Sequence, residues 1–257
     1  MDIKNTALHA AKTAGLLLRE KLGAKQRIEY KGAIDLVTEM DKRSEAVIIK
    51  EIKKKFPDHG IMAEESAEFP ARYGCRWIID PLDGTTNYAH GLPVFCVSIG
   101  FEKAGKIILG VVYNPMLDEM FVAEKGCGAR LNGKRIKVSG TGSLDASLLA
   151  TGFPYDIRTT QKNNLDHFSA FAVRAQAIRR AGAAALDLCY VACSRFDGFW
   201  ELKLKPWDTA AATLIIKEAG GRVTGFGNER FSIYGDECLA SNGRIHGDMV
   251  DVLTGRI

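Results

Sequence analysis

The chain has 257 residues, with 35 Lys plus Arg against 31 Asp plus Glu and a formal net charge of +4. This small, dispersed charge does not indicate nucleic-acid binding, and an apolar share of 46% is typical of a globular protein. No segment approaches the roughly 18 uninterrupted apolar residues that a membrane span needs. The N-terminal residues mix Lys, His and Arg with apolar residues, which is unlike a secretion signal. We expect a cytoplasmic protein with no membrane segment.

Cysteine and histidine spacing argues against two kinds of site. The sequence contains no Cys-x-x-Cys pair, so neither a disulfide framework nor a cysteine-ligated zinc site is indicated. The histidines never fall within one helical turn of each other, which excludes the usual pattern of a histidine-based zinc hydrolase. We expect reduced cysteines, most of them buried.

The first half of the chain is predicted to be α+β. Apolar residues at helical spacing predict a helix over 7–22 and a second helix that begins after Thr38 and ends before Pro57. Asn132-Gly133 predicts a tight hairpin turn. The strands predicted before this turn are 61–63, 77–79, 94–101, 107–113 and 120–123.

The second half is predicted to alternate strands and helices, closer to an α/β pattern. Predicted strands lie at 147–151, 177–180, 198–202, 223 and 238–240, with helices at 163–173, 183–194, 207–219 and the C-terminus. The segment Ser139 to Ser143 marks the change of pattern, so we predict two parts, 1–142 and 143–257, with a cleft between them.

The segment Trp77 to Tyr88 carries the strongest chemical signal. A buried strand leads into Asp80 and Asp83, and Pro81 is expected to turn the chain at the strand end. Gly84 lets the backbone approach a ligand, and a helix starting near Thr85 would present free N–H groups to an anion. Carboxylates for a hard cation beside donors for a phosphate predict a metal-assisted phosphoryl site. The same residues are also compatible with a simple turn.

Other acids have both a chemical and a structural interpretation. Glu64-Glu65 follow an apolar strand and are compatible with a solvated loop. Asp41 stands three residues after Thr38, where it can complete a capping box. Asp208 begins a helix, where a carboxylate is stabilising without any function. Spacing alone does not join these acids into one site.

A resemblance to a known family does join them. Asp80-Pro-Leu-Asp-Gly-Thr-Thr-Asn-Tyr88 and Trp207-Asp-Thr-Ala-Ala211 resemble the two signature motifs of the inositol monophosphatase family. The similarity extends through segments 35–41, 64–66, 151–154 and 185–188, and bacterial SuhB-like members are the most similar. Lys31 corresponds to a basic residue of the family when the alignment is shifted by a gap.

The resemblance implies a layered αβαβα sandwich of the sugar-phosphatase type and a Mg²⁺-dependent, lithium-inhibited phosphatase, with Mn²⁺ as an alternative ion. It implies that a first Mg²⁺ is held by Glu64, Asp80 and the Leu82 carbonyl, and a second by Asp80, Asp83 and Asp208. A third, loosely bound ion would lie near Glu64. Thr85 and Asp41 would orient and deprotonate the attacking water, and Glu64 would be a third catalytic residue. The implied substrate-binding residues are Asp83, Gly84, Thr85, Thr86, Ala184, Glu201 and Asp208.

The expected reaction is hydrolysis of myo-inositol monophosphates by direct in-line attack of a metal-activated water. Fructose 1,6-bisphosphate and 3′-phosphonucleotides are alternative substrates, because relatives share the metal site. A non-catalytic role is a further alternative, because some SuhB-like members assist transcription antitermination through protein and RNA contacts. The resemblance also implies a homodimer. Glu201 has a competing interpretation as an exposed strand acid.

Overall fold

The computed structural model describes residues 3–24, 28–30, 36–66, 68–70 and 74–257, so Lys31 and Asp35 lie outside the described residues. The helices are α1 (Ile3–Lys21), α2 (Glu39–Lys55), α3 (Thr85–Ala89), α4 (Leu165–Ala172), α5 (Ala184–Ala192), α6 (Pro206–Glu218) and α7 (His246–Leu253). The strands are β1 (Ile28–Tyr30), β2 (Leu36–Thr38), β3 (Gly60–Ala63), β4 (Cys75–Asp83), β5 (Cys96–Lys103), β6 (Lys106–Asn114), β7 (Glu119–Glu124), β8 (Ala129–Leu131), β9 (Lys134–Arg135), β10 (Leu148–Thr151), β11 (Ala177–Arg179), β12 (Gly198–Leu202), β13 (Arg222–Thr224) and β14 (Glu237–Ser241).

The first large sheet has seven strands in the order β3-β4-β5-β6-β7-β8-β9. Strands β3 and β4 run parallel, and each later neighbour pairs antiparallel as a meander. Asn132 and Gly133 both have positive φ, +48° and +80°, between β8 and β9. Such a two-residue turn matches the right-handed twist of the flanking strands, so the predicted hairpin is confirmed.

One local expectation is wrong. Pro81 does not end its strand, because β4 continues to Asp83 and the chain turns only at Gly84. The pairing of β4 with β5 shifts between Asp80 and Asp83, which leaves Pro81 inside an irregularity of the ladder. A bulge tolerates a residue without an N–H, so the proline bends the strand instead of terminating it.

The second large sheet has five strands in the order β11-β10-β12-β14-β13. Strand β10 is parallel to both β11 and β12, whereas β14 is antiparallel to β12 and β13. Because β10 and β12 are parallel, the residues that follow them emerge at the same edge of the sheet.

The helices and sheets stack in alternating layers. Helices α1 and α2 cover one face of the seven-stranded sheet around a core that contains Trp77, Phe101 and Tyr113. Helices α5 and α6 lie between the two sheets. Helices α4 and α7 contact each other beyond the five-stranded sheet, where Phe171 and Trp200 are packed. This order is the predicted αβαβα sandwich.

Helix α6 lies unusually close to the seven-stranded sheet. Gly100 and Gly110 are directly paired on β5 and β6, and both face the helix. A Cβ atom at Gly110 would lie 2.4 Å from the carbonyl oxygen of Ala211. At the start of the helix, Ser98 Oγ donates to the carbonyl of Trp207 at 3.2 Å. Gly100 and Gly110 therefore allow α6 to pack close to the sheet, and Ser98 holds the first turn of the helix in place.

The seven-stranded sheet is built from residues 60–135 and the five-stranded sheet from residues 148–241. The connecting segment is anchored, since Asn242 Nδ2 donates to Ser139 Oγ at 2.9 Å and to the Thr141 carbonyl at 2.8 Å. The division at residue 142 agrees with this arrangement and stays a prediction. All six cysteines are free thiols. Among the described residues, the helices are too short or too polar to cross a bilayer.

Candidate active site

A cavity of about 480 Å³ lies where the ends of several elements meet. It is lined by residues that follow β3, the end of β4, the start of α3, the segment after β10, the start of α5, strand β12 and the start of α6. Ten of the predicted site residues line it: Glu64, Asp80, Leu82, Asp83, Gly84, Thr85, Thr86, Ala184, Glu201 and Asp208. Asp41 lies behind the wall and contacts the cavity only through Thr85.

Parallel pairing explains why Glu64 and Asp80 are neighbours. Ala63, the last residue of β3, pairs with Ile79 on β4, so the next residue of each strand emerges at the same edge. The backbone beyond Asp80 is fixed by two bonds. The Leu82 N–H donates to Asp80 Oδ1 at 2.9 Å, and Ser44 Oγ from α2 donates to the Pro81 carbonyl at 2.7 Å.

Gly84 is required by the fold itself. Its φ is +98°, in the region that favours glycine, and a Cβ there would lie 2.9 Å from the Val94 carbonyl oxygen. The residue lets the chain reverse from β4 directly into α3. Thr85 and Thr86 therefore lie on the cavity wall immediately after Asp83.

Asp83 joins the two halves of the cavity. Its Oδ1 accepts from the Ala184 N–H at 3.1 Å and its Oδ2 from the Ala185 N–H at 2.8 Å, which are free donors of the first turn of α5. The Cys96 thiol lies 3.5 Å from Oδ2 and donates to it. Burial raises the pKa of Asp83 to about 6, although these hydrogen bonds favour its ionised form.

Asp41 caps helix α2 and also contacts Thr85 on the cavity wall. The residue is 0% exposed and completes the capping box of α2, accepting from the Thr38 N–H at 2.8 Å and the Thr38 hydroxyl at 2.6 Å. Its other oxygen, Oδ1, accepts from the Thr85 hydroxyl at 2.7 Å. Burial raises the pKa of Asp41, so the cap also places a basic carboxylate behind Thr85.

Asp208 likewise combines a cap with a place in the cavity. Its Oδ2 accepts from the Lys205 N–H at 2.6 Å in the first turn of α6. Burial, and then the nearby charge of Asp83, raise the pKa of Asp208 to about 8. Because α6 packs closely on Gly100 and Gly110, the carboxylate of Asp208 lies near the end of β4.

Glu201 is half-buried in the opposite wall, on β12, and is not an exposed strand acid. Gly152 gives it room, since a Cβ at that position would lie 2.1 Å from Glu201 Oε1. Asn164 holds this wall by donating to the Gly152 carbonyl at 2.7 Å and accepting from the Trp200 indole at 2.8 Å. Burial, and then Asp187, raise the pKa of Glu201 to about 8.

The donor set fits a hard divalent cation. Burial raises the pKa of Asp80 well above its usual range, and the charges of Glu64, Asp83 and Asp208 raise it further. Such mutual repulsion is relieved by a cation with oxygen ligands, as Mg²⁺ prefers. Within the described part of the chain, no three His, Cys, Asp or Glu side chains already enclose a metal-sized point. The fit therefore rests on the donor chemistry and the shared cavity.

Sequence reasoning assigned no role in the site to Asp187 and Glu45, and it placed Arg180 on the surface or the rim of the cleft. Asp187 on α5 and Arg180 on the rim both line the cavity. Glu45 on α2 is buried, and its Oε2 accepts from the Glu65 N–H at 2.9 Å, which orients the segment after β3. Its place one helical turn after Asp41 was an available signal, because both side chains then share a helix face.

Comparison with known proteins agrees with this geometry. Residues 2–254 match the model of the inositol monophosphatase family. Inositol-1-monophosphatase of Synechocystis sp. is 46% identical over 96% of this chain and 87% of its own length. Nus factor SuhB of Escherichia coli (strain K12) is 42% identical over 94% of this chain and 91% of its own.

A solved structure extends the likeness to three dimensions. The extragenic suppressor protein suhB from Bartonella henselae superposes with a TM-score of 0.94 at 39% identity, covering 99% of both chains. The family match, the relatives and the fold agree across nearly the whole length, so this chain belongs to the inositol monophosphatase family of phosphatases.

Proposed function

We propose that the protein is a Mg²⁺-dependent phosphate monoester hydrolase that acts on myo-inositol monophosphates by direct in-line attack of water. One observation carries this proposal. Four carboxylates from well-separated segments, Glu64, Asp80, Asp83 and Asp208, line one cavity and repel one another there.

The cavity suits a small, polar ester. Its volume of about 480 Å³ lies in the range of small-molecule sites. The carboxylate cluster occupies one side, and Glu201 and Ala184 lie on the wall formed by the second half of the chain. A phosphate at the cluster would therefore leave its alcohol part facing Glu201.

The proposed ion-binding residues are Glu64, Asp80 and the Leu82 carbonyl for one ion, and Asp80, Asp83 and Asp208 for a second. When bound, Mg²⁺ neutralises the phosphoryl oxygens, lowers the pKa of the attacking water and stabilises the departing alkoxide. A third ion near Glu64 stays a prediction. Among the described residues, neither a cysteine nor a histidine lines this cavity, so the proposed attack is by water and not by a side-chain thiolate or imidazole.

Thr85 and Asp41 are positioned to handle the proton of the attacking water. The Thr85 hydroxyl donates to Asp41 Oδ1, so its lone pairs are free to accept from a water in the cavity. Asp41 is itself fixed by Thr38 and does not line the cavity. The geometry therefore favours Thr85 as the group in contact with water and Asp41 as the base behind it.

Two relatives widen the range of substrates worth testing. SaIMPase-II, 26–27% identical to this chain with TM-scores of 0.85 and 0.81, has been solved with bound 2′AMP and with bound inositol monophosphate. Fructose 1,6-bisphosphate and 3′-phosphonucleotides are alternatives on the same metal site. The name Nus factor SuhB adds a binding role as an alternative without catalysis.

A substrate panel tests the proposal. Phosphate release from inositol 1-phosphate, fructose 1,6-bisphosphate, 2′AMP and a 3′-phosphonucleotide is measured with Mg²⁺, with Mn²⁺ and with added Li⁺. We expect inositol 1-phosphate to be hydrolysed fastest, with inhibition by Li⁺. The activity should be lost in Asp83→Asn and kept in Lys53→Ala, because Lys53 does not line the cavity: its Nζ donates to the carbonyls of Pro57 and His59 and lies over the Phe69 ring.

A protein that hydrolyses none of these esters with either metal would contradict the proposal. Co-purification with transcription factors by such an inactive protein would favour the binding role instead. The homodimer expected from the resemblance is tested separately by light scattering of the purified protein.

A further inference from the structure

Asp187 is a buried acid whose hydrogen-bonding capacity is not used. Its side chain lies on the first turns of α5 and is 2% exposed. The Oδ1 atom is buried and has no hydrogen-bond partner among the described residues. An unpaired buried acceptor destabilises a fold, so this oxygen is suited to accept a hydrogen bond from a molecule that enters the cavity.

The described residues offer no donor for this oxygen. The nearby free N–H groups of Ala184 and Ala185 are already bound by Asp83. Arg180 lies on the exposed rim of the cavity, and within the described residues it forms neither a hydrogen bond nor an ion pair with Asp187. The donor must therefore come from the cavity that Asp187 lines.

Glu201 is the neighbour of Asp187 in this cavity wall. The two charges influence each other, as the raised pKa of Glu201 shows. Both acids line the part of the cavity formed by the second half of the chain, and the carboxylates that attract a metal come mainly from the first half. Two carboxylate acceptors on one wall of a cavity are suited to hydroxyl groups of a bound substrate.

We propose that Asp187 is a specificity-determining residue that accepts a hydrogen bond from one ring hydroxyl of the substrate, with Glu201 accepting from the adjacent hydroxyl. This inference rests on the proposed function, because it assumes that the phosphate lies at the carboxylate cluster. It adds Asp187 to the residues that bind the alcohol part of the substrate, and it disfavours esters whose alcohol part has no adjacent hydroxyls.

Two esters of the same ring separate hydroxyl recognition from phosphate recognition. Inositol 1-phosphate carries the hydroxyls, and cyclohexyl phosphate has the same six-membered ring without them. Asp187→Leu removes both acceptors at similar side-chain size, and Asp187→Asn keeps one acceptor. Asp166→Asn, an exposed acid on α4, is the matched control.

We expect Asp187→Leu to raise KM for inositol 1-phosphate roughly tenfold, the loss of one hydrogen bond, and to change KM for cyclohexyl phosphate less than twofold. Asp187→Asn should recover most of the affinity. The melting temperature of Asp187→Leu should equal or exceed that of the wild type, because an unpaired buried acid has been removed. A residue with a purely structural role would not combine higher stability with a selective rise in KM.

Equal losses for both esters in Asp187→Leu would overturn the inference, and so would an unchanged KM for both. Failure of the proposed function has a different signature, since the wild type would then hydrolyse neither ester. In that case calorimetric binding of the two esters still decides, and a preference for inositol 1-phosphate that survives in Asp187→Leu would overturn the role of Asp187.

Discussion

The hydroxyl oxygen of Thr85 lies 2.7 Å from Asp41 Oδ1 and 3.0 Å from the Leu82 carbonyl oxygen. It thus connects a buried capping carboxylate to a proposed metal ligand. We predict that Thr85→Val, which removes the hydroxyl at constant shape, lowers kcat roughly a hundredfold with little change in KM. Steady-state kinetics on inositol 1-phosphate measures this. Thr254→Val, whose hydroxyl binds only the end of α7, is the control. A kcat within twofold of the wild type would contradict the prediction.

The absence of a side chain at Gly152 makes room for Glu201. We predict that Gly152→Ala displaces the flexible Glu201 side chain, raises KM for inositol 1-phosphate roughly tenfold and changes the melting temperature only slightly. Gly247→Ala is the control, because nothing lies within 4 Å of a Cβ there. An unchanged KM would show that Glu201 does not contact the substrate.

Removal of one of the mutually repelling carboxylates should raise the stability of the metal-free protein and lower its activity. We predict that Asp80→Asn raises the melting temperature of the metal-free protein, because burial and three neighbouring acids disfavour the charge of Asp80. The same variant should lose the stabilisation by added Mg²⁺ and at least about a hundredfold of the activity. Thermal unfolding with and without EDTA provides the readout, with the exposed Asp145→Asn as control. A Mg²⁺ response equal to that of the wild type would exclude Asp80 as a ligand.

His246 lies outside the cavity, and we predict that it makes the free energy of unfolding depend on pH. Burial lowers the pKa of His246 from 6.5 to about 4. Its ring is held by the hydroxyls of Thr224 and Ser241 at 2.9 and 2.8 Å. Between pH 6.5 and about 4 the unfolded chain binds the proton and the folded chain does not, so the free energy of unfolding falls as the pH is lowered.

The loss attributable to His246 is at most about 3 kcal/mol. Urea unfolding at several pH values measures it, and His246→Gln should show a shallower decline over this window than the wild type. The exposed His90→Gln should follow the wild type. Parallel pH curves for wild type and His246→Gln would contradict the assignment.

The close contact between Gly110 and Ala211 predicts that one substitution lowers both the stability and the activity of the protein. A methyl group at Gly110 would meet backbone atoms of α6, which cannot rotate away. We predict that Gly110→Ala lowers the free energy of unfolding by about 2 kcal/mol and also lowers activity, since Asp208 moves with its helix. Gly142→Ala, in open surroundings, is the control. Full activity in Gly110→Ala would show that the position of Asp208 does not depend on the close packing of α6 on the sheet.

Most helices and strands were predictable from the sequence, because apolar periodicity, capping residues and turn residues are local features of the chain. Thr38 and Asp41 form the expected capping box, and Asn132-Gly133 form the expected turn. The effect of Pro81 was mispredicted, because a bulge depends on the partner strand β5 and not on the local sequence. Asp187 was missed because the burial of its unpaired oxygen depends on three-dimensional packing and not on the local sequence.

The site was predictable only through the resemblance. Glu64, Asp80 and Asp208 each have a local structural explanation, and their proximity comes from strand pairing and from the position of α6. Sequence spacing carries neither relationship. The structure adds this information, because it places these residues on the wall of one cavity.

The close packing of α6 on Gly100 and Gly110 also limits how the shape of this cavity can be changed. Because the helix rests backbone to backbone on Gly100 and Gly110, it cannot approach the sheet further to enlarge the space behind Asp208. New selectivity for larger alcohols is therefore more accessible through the segment 153–156 and the rim around Arg180, which border the cavity. Engineering efforts should vary those positions and leave the paired glycines unaltered.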